Sequence, residues 1–183
     1  LDEALERDGR ERVVENVAYT WFNRFCALRF MDANGYTGIG AVSPAEGQSQ
    51  PEILAEAKMG HIDEEIAGDA LRRRITSLLS GSAPSRDPQQ EAYRLLLVAV
   101  CNYWHRSMPF LFQRIDDYTE LLMPDDLLSE NSVLSSVREA MTGEACRDVE
   151  VIGWLYQFYI SEKKDEVFEG LKRNVKISPE NIP

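Results

Sequence analysis

Apolar side chains recur every three or four residues along most of this chain, and that spacing is what most restricts its possible folds. Between Glu11 and Met31 the repeating apolar positions are Val14, Val17, Ala18, Trp21, Phe22, Phe25 and Leu28. No segment shows the alternation of apolar and polar residues that a half-buried strand requires. The sequence therefore predicts an all-α protein, an irregular bundle of about seven to nine helices without a substantial sheet.

Turn-forming residues divide the first half of the chain into helices. Asn34-Gly35 ends the first helix, because both residues tolerate a left-handed backbone. Residues 36–50 are rich in Gly, Ser and Pro and are predicted to form a loop. Pro51 then opens a brief helix, and another is predicted from about Asp63 to Leu79, with a stop at Gly81.

Proline and capping residues divide the second half in the same way. Asp87 followed by Pro88 is a start signal for a helix that is apolar on most sides, which favours a central position in the bundle. Pro109 and Pro124 are expected to punctuate shorter helices. Ser132 or Asn131 caps the next helix, which Gly143 breaks.

An aromatic stretch near the end of the chain poses a choice between a core helix and a platform for nucleic-acid bases. On a helix, its large apolar residues share one face: Val151, Trp154, Leu155, Phe158 and Tyr159. Base-stacking platforms carry interleaved basic residues, which this face lacks. The pattern therefore favours a buried helix, followed by another that runs to about Arg173.

The charge balance restricts the class of partner. The formal net charge is -11, with 44% hydrophobic and 28% charged residues, which is typical of a folded globular chain with an acidic surface. Such a surface repels phosphate, so tight autonomous DNA binding is disfavoured. Three scattered cysteines and the absence of a long apolar run indicate a reducing compartment away from membranes.

Residue types that could perform chemistry are few. A zinc site needs three or four ligands, whereas only His105 has a thiol at helical spacing, that of Cys101, so no metal site is predicted. The same two residues could form a nucleophile pair in a freestanding enzyme, but the surrounding residues are typical of a core. The glycine-rich segment Gly35–Val42 follows a helix stop and not a buried strand, so it indicates a turn and not a cofactor loop.

Two basic clusters are candidates for contacts with the DNA backbone. The first is a run of three arginines on the helix predicted before Gly81, and the second lies near the end of the chain: Arg72, Arg73, Arg74, Lys163, Lys164, Lys172, Arg173 and Lys176. Acidic residues are interspersed in the second cluster, so a solvated helix face with i,i+4 ion pairs is the favoured interpretation.

Several segments resemble the amino-terminal region of PglX-type proteins, the adenine-specific DNA methyltransferases of BREX phage-defence systems. The resemblance covers most of residues 18–183 in the same order and is weaker over 60–87. Its motifs are AYTWFNRFCALRFMDANGY (18–36), QPEILAEA (50–57), IDDYTELLMPDDLL (115–128) and VEVIGWLYQFYISEKKDEVF (149–168).

The resemblance implies a large bacterial parent enzyme of the cytoplasm that transfers a methyl group from S-adenosylmethionine to the N6 amine of adenine and thereby marks host DNA. The family's Asn-Pro-Pro-aromatic loop and its glycine-rich cofactor turn are not found in these 183 residues. No catalytic or cofactor-binding residue is therefore assigned here. The chain is expected to be a single helical amino-terminal domain, residues 1–183, with the catalytic domain following it.

Two roles follow from that expectation, and a third stands apart from it. The chain could pack on its own catalytic domain and support engagement of DNA or of BREX partner proteins, a role that the acidic charge favours. It could instead contact the DNA backbone through the two basic clusters within the whole enzyme. The third role is the freestanding enzyme built on Cys101 and His105.

Overall fold

The computed structural model describes residues 2–109, 111–115, 120–151 and 153. In these residues the chain forms six α-helices and one short 3-10 helix, and no strand beyond an isolated bridge between Pro44 and Pro51. The helices are α1 (Asp2–Asp8), α2 (Arg10–Ala33), α3 (Glu52–Lys58), α4 (Asp69–Leu79), α5 (Pro88–His105) and α6 (Val133–Ala140). The all-α prediction is confirmed in this part of the chain, although six helices are fewer than predicted.

The chain forms two compact units, residues 1–143 and residues 144–183. All six α-helices belong to the first unit. In the described part of the second unit, a 3-10 helix spans Ala145–Arg147, and Asp148 caps the turn that follows by accepting a hydrogen bond from the Glu150 amide at 2.9 Å. The predicted aromatic face of residues 154–159 lies outside the described residues.

Helix α2 follows the predicted periodicity but with a different buried face at its start. Val13 and Val17 are buried, whereas Val14 is 50% exposed and Ala18 is exposed. The prediction was wrong there because the buried residues recur every four positions through Trp21 and Phe25, which rotates the face by one residue.

The same helix buries one charged side chain. Arg24 is 2% exposed, and its Nη2 donates a hydrogen bond to the Gln113 carbonyl at 2.9 Å. Its guanidinium carbon lies 4.9 Å from the centre of the Trp21 ring, a cation–π arrangement. Arg24 thereby connects α2 to the segment that follows α5.

The end of α2 agrees with the sequence prediction. The helix ends at Ala33, and Gly35 has a φ of 67°, the left-handed conformation that the Asn-Gly pair indicated. Residues 36–50 then form a loop of bends and turns, and α3 begins at Glu52 directly after Pro51.

Helix α4 begins six residues later than predicted. Asp63 does not cap it: its side chain accepts a hydrogen bond from the Glu65 amide at 2.8 Å, and residues 64–66 form a separate turn. Gly68 is extended, with a ψ of 164°, and precedes the first helical residue, Asp69. The stop at Gly81 is confirmed, since this residue has a φ of 75°.

Helix α5 begins as predicted. The Asp87 side chain accepts a hydrogen bond from the Gln90 amide at 3.1 Å, and Pro88 is the first helical residue. Its buried residues include Tyr93, Leu96 and Leu97, and it packs against both α3 and α4, which also contact each other. This three-helix arrangement and the pairing of α2 with α1 and α6 form the first unit.

The segment between α5 and α6 departs from the prediction of short helices. Its described residues, 106–109, 111–115 and 120–132, form turns, bends and irregular backbone, and residues 110 and 116–119 lie outside the described part of the chain. Side chains substitute for helical hydrogen bonds there: Asn102 exchanges two hydrogen bonds with the backbone of Ile115, at 2.8 and 3.1 Å. Ser132 and not Asn131 caps α6, accepting from the Ser135 amide at 3.2 Å.

Candidate functional site

The glycine-rich loop after α2 is organised around one carboxylate, that of Asp32. Its Oδ1 accepts hydrogen bonds from the Thr37 hydroxyl at 2.8 Å and the Ala41 amide at 3.0 Å. Its Oδ2 accepts from the amides of Val42 and Ser43, each at 2.9 Å. Three consecutive N–H groups therefore converge on an anion that the chain itself supplies.

Side chains from three other elements hold the same loop. Glu52 at the start of α3 accepts from the Gly40 amide at 2.7 Å, and the buried Tyr93 hydroxyl of α5 donates to the Ala41 carbonyl at 3.0 Å. Arg138 of α6 donates to the Val42 carbonyl at 3.2 Å. The segment Gly35–Val42 is therefore a loop, as predicted, and the amides of Gly40, Ala41 and Val42 donate to side chains of the chain itself.

This loop forms one wall of an aromatic groove, a cavity of about 580 Å³ in the first unit. The other walls are the end of α3 with the turn after it and the last residues of α5. The lining residues used below are Tyr36, Glu56, His61, Asp63, Tyr103 and Trp104. The volume lies within the range of sites that hold small molecules or several side chains of a peptide.

Three ring systems and two carboxylates give the aromatic groove its chemical character. Tyr103 and Trp104 pack edge to face, with ring centres 5.3 Å apart, and Tyr36 is 60% exposed. His61 Nδ1 lies 2.8 Å from a Glu56 carboxylate oxygen. No lysine or arginine is among the described residues that line the cavity.

The first basic cluster is largely engaged with acidic side chains. Arg72 contacts Asp69 and lies 3.6 Å from Glu64, and Arg74 lies 2.6 Å from Glu91. The hydrogen bond from Ser85, and after it the nearby Arg74 and Arg94, hold the pKa of Glu91 below its ordinary value, although burial acts in the opposite direction.

Arg73 is exposed, as is Arg74, whose side chain is 48% exposed despite its ion pair with Glu91. Arg73 lines a shallow depression of about 440 Å³ together with hydroxyl-bearing side chains, among them Thr76 and Ser80. The second basic cluster, Lys163, Lys164, Lys172, Arg173 and Lys176, lies outside the described residues.

Cys101 and His105 do not form an activated nucleophile pair. The Cys101 thiol is fully buried, and burial raises its pKa to about 12, so it stays protonated near neutral pH. His105 Nδ1 lies 2.8 Å from the Phe112 carbonyl, and because a carbonyl oxygen only accepts, this nitrogen donates. Both side chains therefore serve packing and chain connection.

Among residues 2–109, 111–115, 120–151 and 153, no group of three or more His, Cys, Asp or Glu side chains is placed to hold a metal ion. None of the helices in the same residues combines the length and apolar character needed to cross a bilayer.

The sequence did not reveal two features of the site. Asp32 lies at the end of an amphipathic helix and, from sequence alone, is indistinguishable from a solvated residue; the amides it binds follow 9 to 11 residues later. The aromatic groove joins Tyr36 to Tyr103 and Trp104, which are far apart in the chain. Only the turn-rich composition of residues 36–50 hinted that this region carries a specific structure.

Two known proteins are similar in sequence to this chain. No family model matches the chain. The chain is 43% identical over 186 residues to a protein of Escherichia coli O9:H4 (strain HS) named Adenine-specific methyltransferase BrxX, a match that covers 100% of this chain. It is 31% identical over 172 residues, 90% of its length, to a protein of Lacticaseibacillus casei (strain Zhang) named Adenine-specific methyltransferase PglX.

Both relatives are much longer than this chain, which spans 14% of the length of each. The similarity runs through α2, the Asp32 loop and the segments on which the sequence resemblance rested. The chain therefore corresponds to one segment of the PglX-type adenine-specific methyltransferases, and the resemblance seen in its motifs is confirmed.

Proposed function

We propose that this chain is a non-catalytic, amino-terminal helical segment of an S-adenosylmethionine-dependent adenine-N6 DNA methyltransferase that marks host DNA in phage defence. Its task is to pack on the catalytic domain of the same enzyme and to support engagement of DNA or of partner proteins of the BREX system. The catalytic residues and the cofactor site belong to other parts of the parent enzyme.

The observation that carries the proposal is the match at 43% identity along the whole chain to a small part of an adenine-specific methyltransferase. Two local features support a non-catalytic role. The amides of the glycine-rich loop are taken up by Asp32, and the Cys101 thiol is kept protonated by burial. The net charge of -11 favours protein contacts over phosphate contacts.

Direct contact with the DNA backbone is the weaker of the two roles within the enzyme. Carboxylates already neutralise Arg72 and Arg74, so the first cluster offers a phosphate mainly the exposed Arg73. One surface cation contributes little to affinity for a duplex compared with the several phosphate contacts of a dedicated DNA-binding face.

Cofactor binding tests the proposal directly. Equilibrium dialysis with radiolabelled S-adenosylmethionine should show binding to the full-length enzyme and none to this 183-residue chain at the same concentration. A methylation assay on a DNA substrate should separate the two proteins in the same way. Stoichiometric cofactor binding by the short chain would overturn the assignment.

Charge reversal at Arg73 tests the weaker role. In the full-length enzyme, Arg73→Glu should leave DNA affinity at low salt and methylation unchanged within about twofold. Arg86→Glu, at an exposed position outside the cluster, is the matched control. A selective loss of DNA affinity in the Arg73 variant would favour backbone contact instead.

A further inference from the structure

We propose that the aromatic groove binds an arginine- or lysine-bearing segment of a partner protein. The inference rests on the proposed function, because it gives a location and a chemistry to the partner engagement assigned to this chain. The occupant is a basic polypeptide segment and neither a nucleic acid nor a second acidic surface.

The shape of the groove suits side chains that enter from solvent. Its cavity of about 580 Å³ is larger than one side chain requires, and its rim includes Tyr36, which is 60% exposed. Tyr103 and Trp104 also line the cavity and are half-buried, so part of each side chain remains accessible to solvent. A large aromatic exposed next to a concavity is typical of a residue that anchors a protein interface.

The tyrosine and tryptophan rings that line the groove favour a cationic side chain. Indole and phenol rings attract guanidinium and ammonium groups over their faces, most strongly where water is partly excluded. The ring of Tyr103 already has such a contact within the chain, since the Arg106 guanidinium carbon lies 5.4 Å from its centre. Tyr36 and Trp104 provide further rings beside the same cavity.

The charges around the groove have the sign that a basic partner requires. Glu56 and Asp63 are among the lining residues, and no described lining residue is a lysine or an arginine; His61, which also lines the cavity, lies 2.8 Å from the Glu56 carboxylate. These carboxylates repel phosphate and attract a cation, and they lie on a chain whose formal charge is -11. Charge complementarity therefore favours a basic protein segment over DNA at this surface.

The walls of the groove are held in place before any partner arrives. Ala41 in the loop wall is fixed by Asp32 and by the Tyr93 hydroxyl. In the turn wall, the Ala67 amide donates to the Asp63 carbonyl at 2.9 Å. A preformed surface loses little conformational entropy on binding, which helps a small groove reach useful affinity.

A peptide titration tests the proposal in the full-length enzyme. The probe is a short acetylated and amidated peptide in which leucine and arginine alternate, and matched peptides replace arginine with lysine or with glutamate. Calorimetry should detect binding of the two basic peptides that weakens with salt, and none of the acidic peptide.

Two variants locate the binding, each with a matched control. The double variant Glu56→Gln, Asp63→Asn keeps hydrogen-bonding groups at both positions and should weaken binding about fivefold, and Tyr36→Ala should do the same by removing a ring. The controls are Glu46→Gln, an exposed carboxylate in the loop, and Leu121→Ala, an exposed apolar residue outside the groove. Both controls should bind like the parent protein.

Three outcomes would overturn the proposal: absence of binding by the basic peptides, equal binding of the acidic peptide, or equal losses in the variants and their controls. A duplex oligonucleotide whose affinity falls in Tyr36→Ala would also overturn it, in favour of a nucleic-acid surface. None of these results bears on whether the 183-residue chain binds S-adenosylmethionine, so failure here remains distinct from failure of the proposed function.

Discussion

At the scale of one residue, Asp32 accepts the backbone hydrogen bonds that a neighbouring strand would accept in a sheet. Three backbone amides and one hydroxyl of an irregular loop donate to its two oxygens, so the buried backbone at Ala41 and Val42 is satisfied without regular secondary structure. Charge-assisted hydrogen bonds of this kind are stronger than neutral ones. Single side chains thus determine the path of residues 37–43.

Gly40 and Gly38 form a matched pair that tests how tightly this loop is packed. A Cβ added at Gly40 would lie 2.6 Å from the Ser43 carbonyl oxygen, whereas one at Gly38 would meet nothing within 4 Å. We expect Gly40→Ala to lower the free energy of unfolding by about 1–3 kcal/mol, because backbone must move. Gly38→Ala should change it by less than about 0.5 kcal/mol in the same denaturant titration. If the two substitutions changed the free energy of unfolding equally, the backbone around Gly40 would move at little energetic cost.

At the scale of the element, the sequence was sufficient to predict a helix boundary where a residue next to that boundary determines it. Gly35, Asp87 and Ser132 mark boundaries that the structure confirms, because each acts within four residues of itself. The predicted start of α4 at about Asp63 was wrong because the Asp63 side chain closes a separate turn, and Gly68 precedes the first helical residue, Asp69. Tertiary packing also decides that Val13, and not the predicted Val14, is buried.

The cap of α5 can be tested by two substitutions at one position. Asp87→Ala removes the acceptor for the Gln90 amide and should destabilise the protein by about 1 kcal/mol, measured by chemical denaturation. Asp87→Asn retains a good capping side chain and should cost only a few tenths of a kcal/mol. If both substitutions cost the same, the charge of Asp87 and not its hydrogen bond would be responsible.

At the scale of the whole molecule, the sequence predicted the helical class and the family, because periodicity and motif order are properties of the linear chain. The aromatic groove could not be predicted, since Tyr36 and Trp104 meet only through the packing of the loop beside α5. The groove is a property of tertiary structure alone. The ion pair between Arg74 of α4 and Glu91 of α5 likewise depends on tertiary packing.

Because the Cys101 thiol of α5 is buried, we expect the free energy of unfolding to fall as the pH rises through the alkaline range. Folding raises the pKa of Cys101 from 9.0 to about 12, so the unfolded chain loses its proton first. This contribution is fully present below pH 9 and is lost as the pH rises toward 12; at pH 10 the loss is about 1 kcal/mol. The fully buried Tyr93, whose pKa is also raised by burial, adds to the decline at higher pH.

Cys101→Ala should flatten that decline when unfolding free energies are measured across the alkaline range. Val100→Ala, which removes buried volume from the adjacent position without an ionisable group, is the control and should shift stability equally at every pH. An unchanged alkaline slope in the Cys101 variant would mean that the thiol is already accessible to water in the folded protein.

The carboxylate of Asp32 has one more consequence for the loop it holds. Many anion-binding loops become ordered only when a dissolved ligand arrives, and their order then varies with the amount of that ligand. Here the anion is tethered a few residues away and is present at a constant, high effective concentration. One wall of the aromatic groove is therefore equally well formed in a cell that is rich or poor in metabolites.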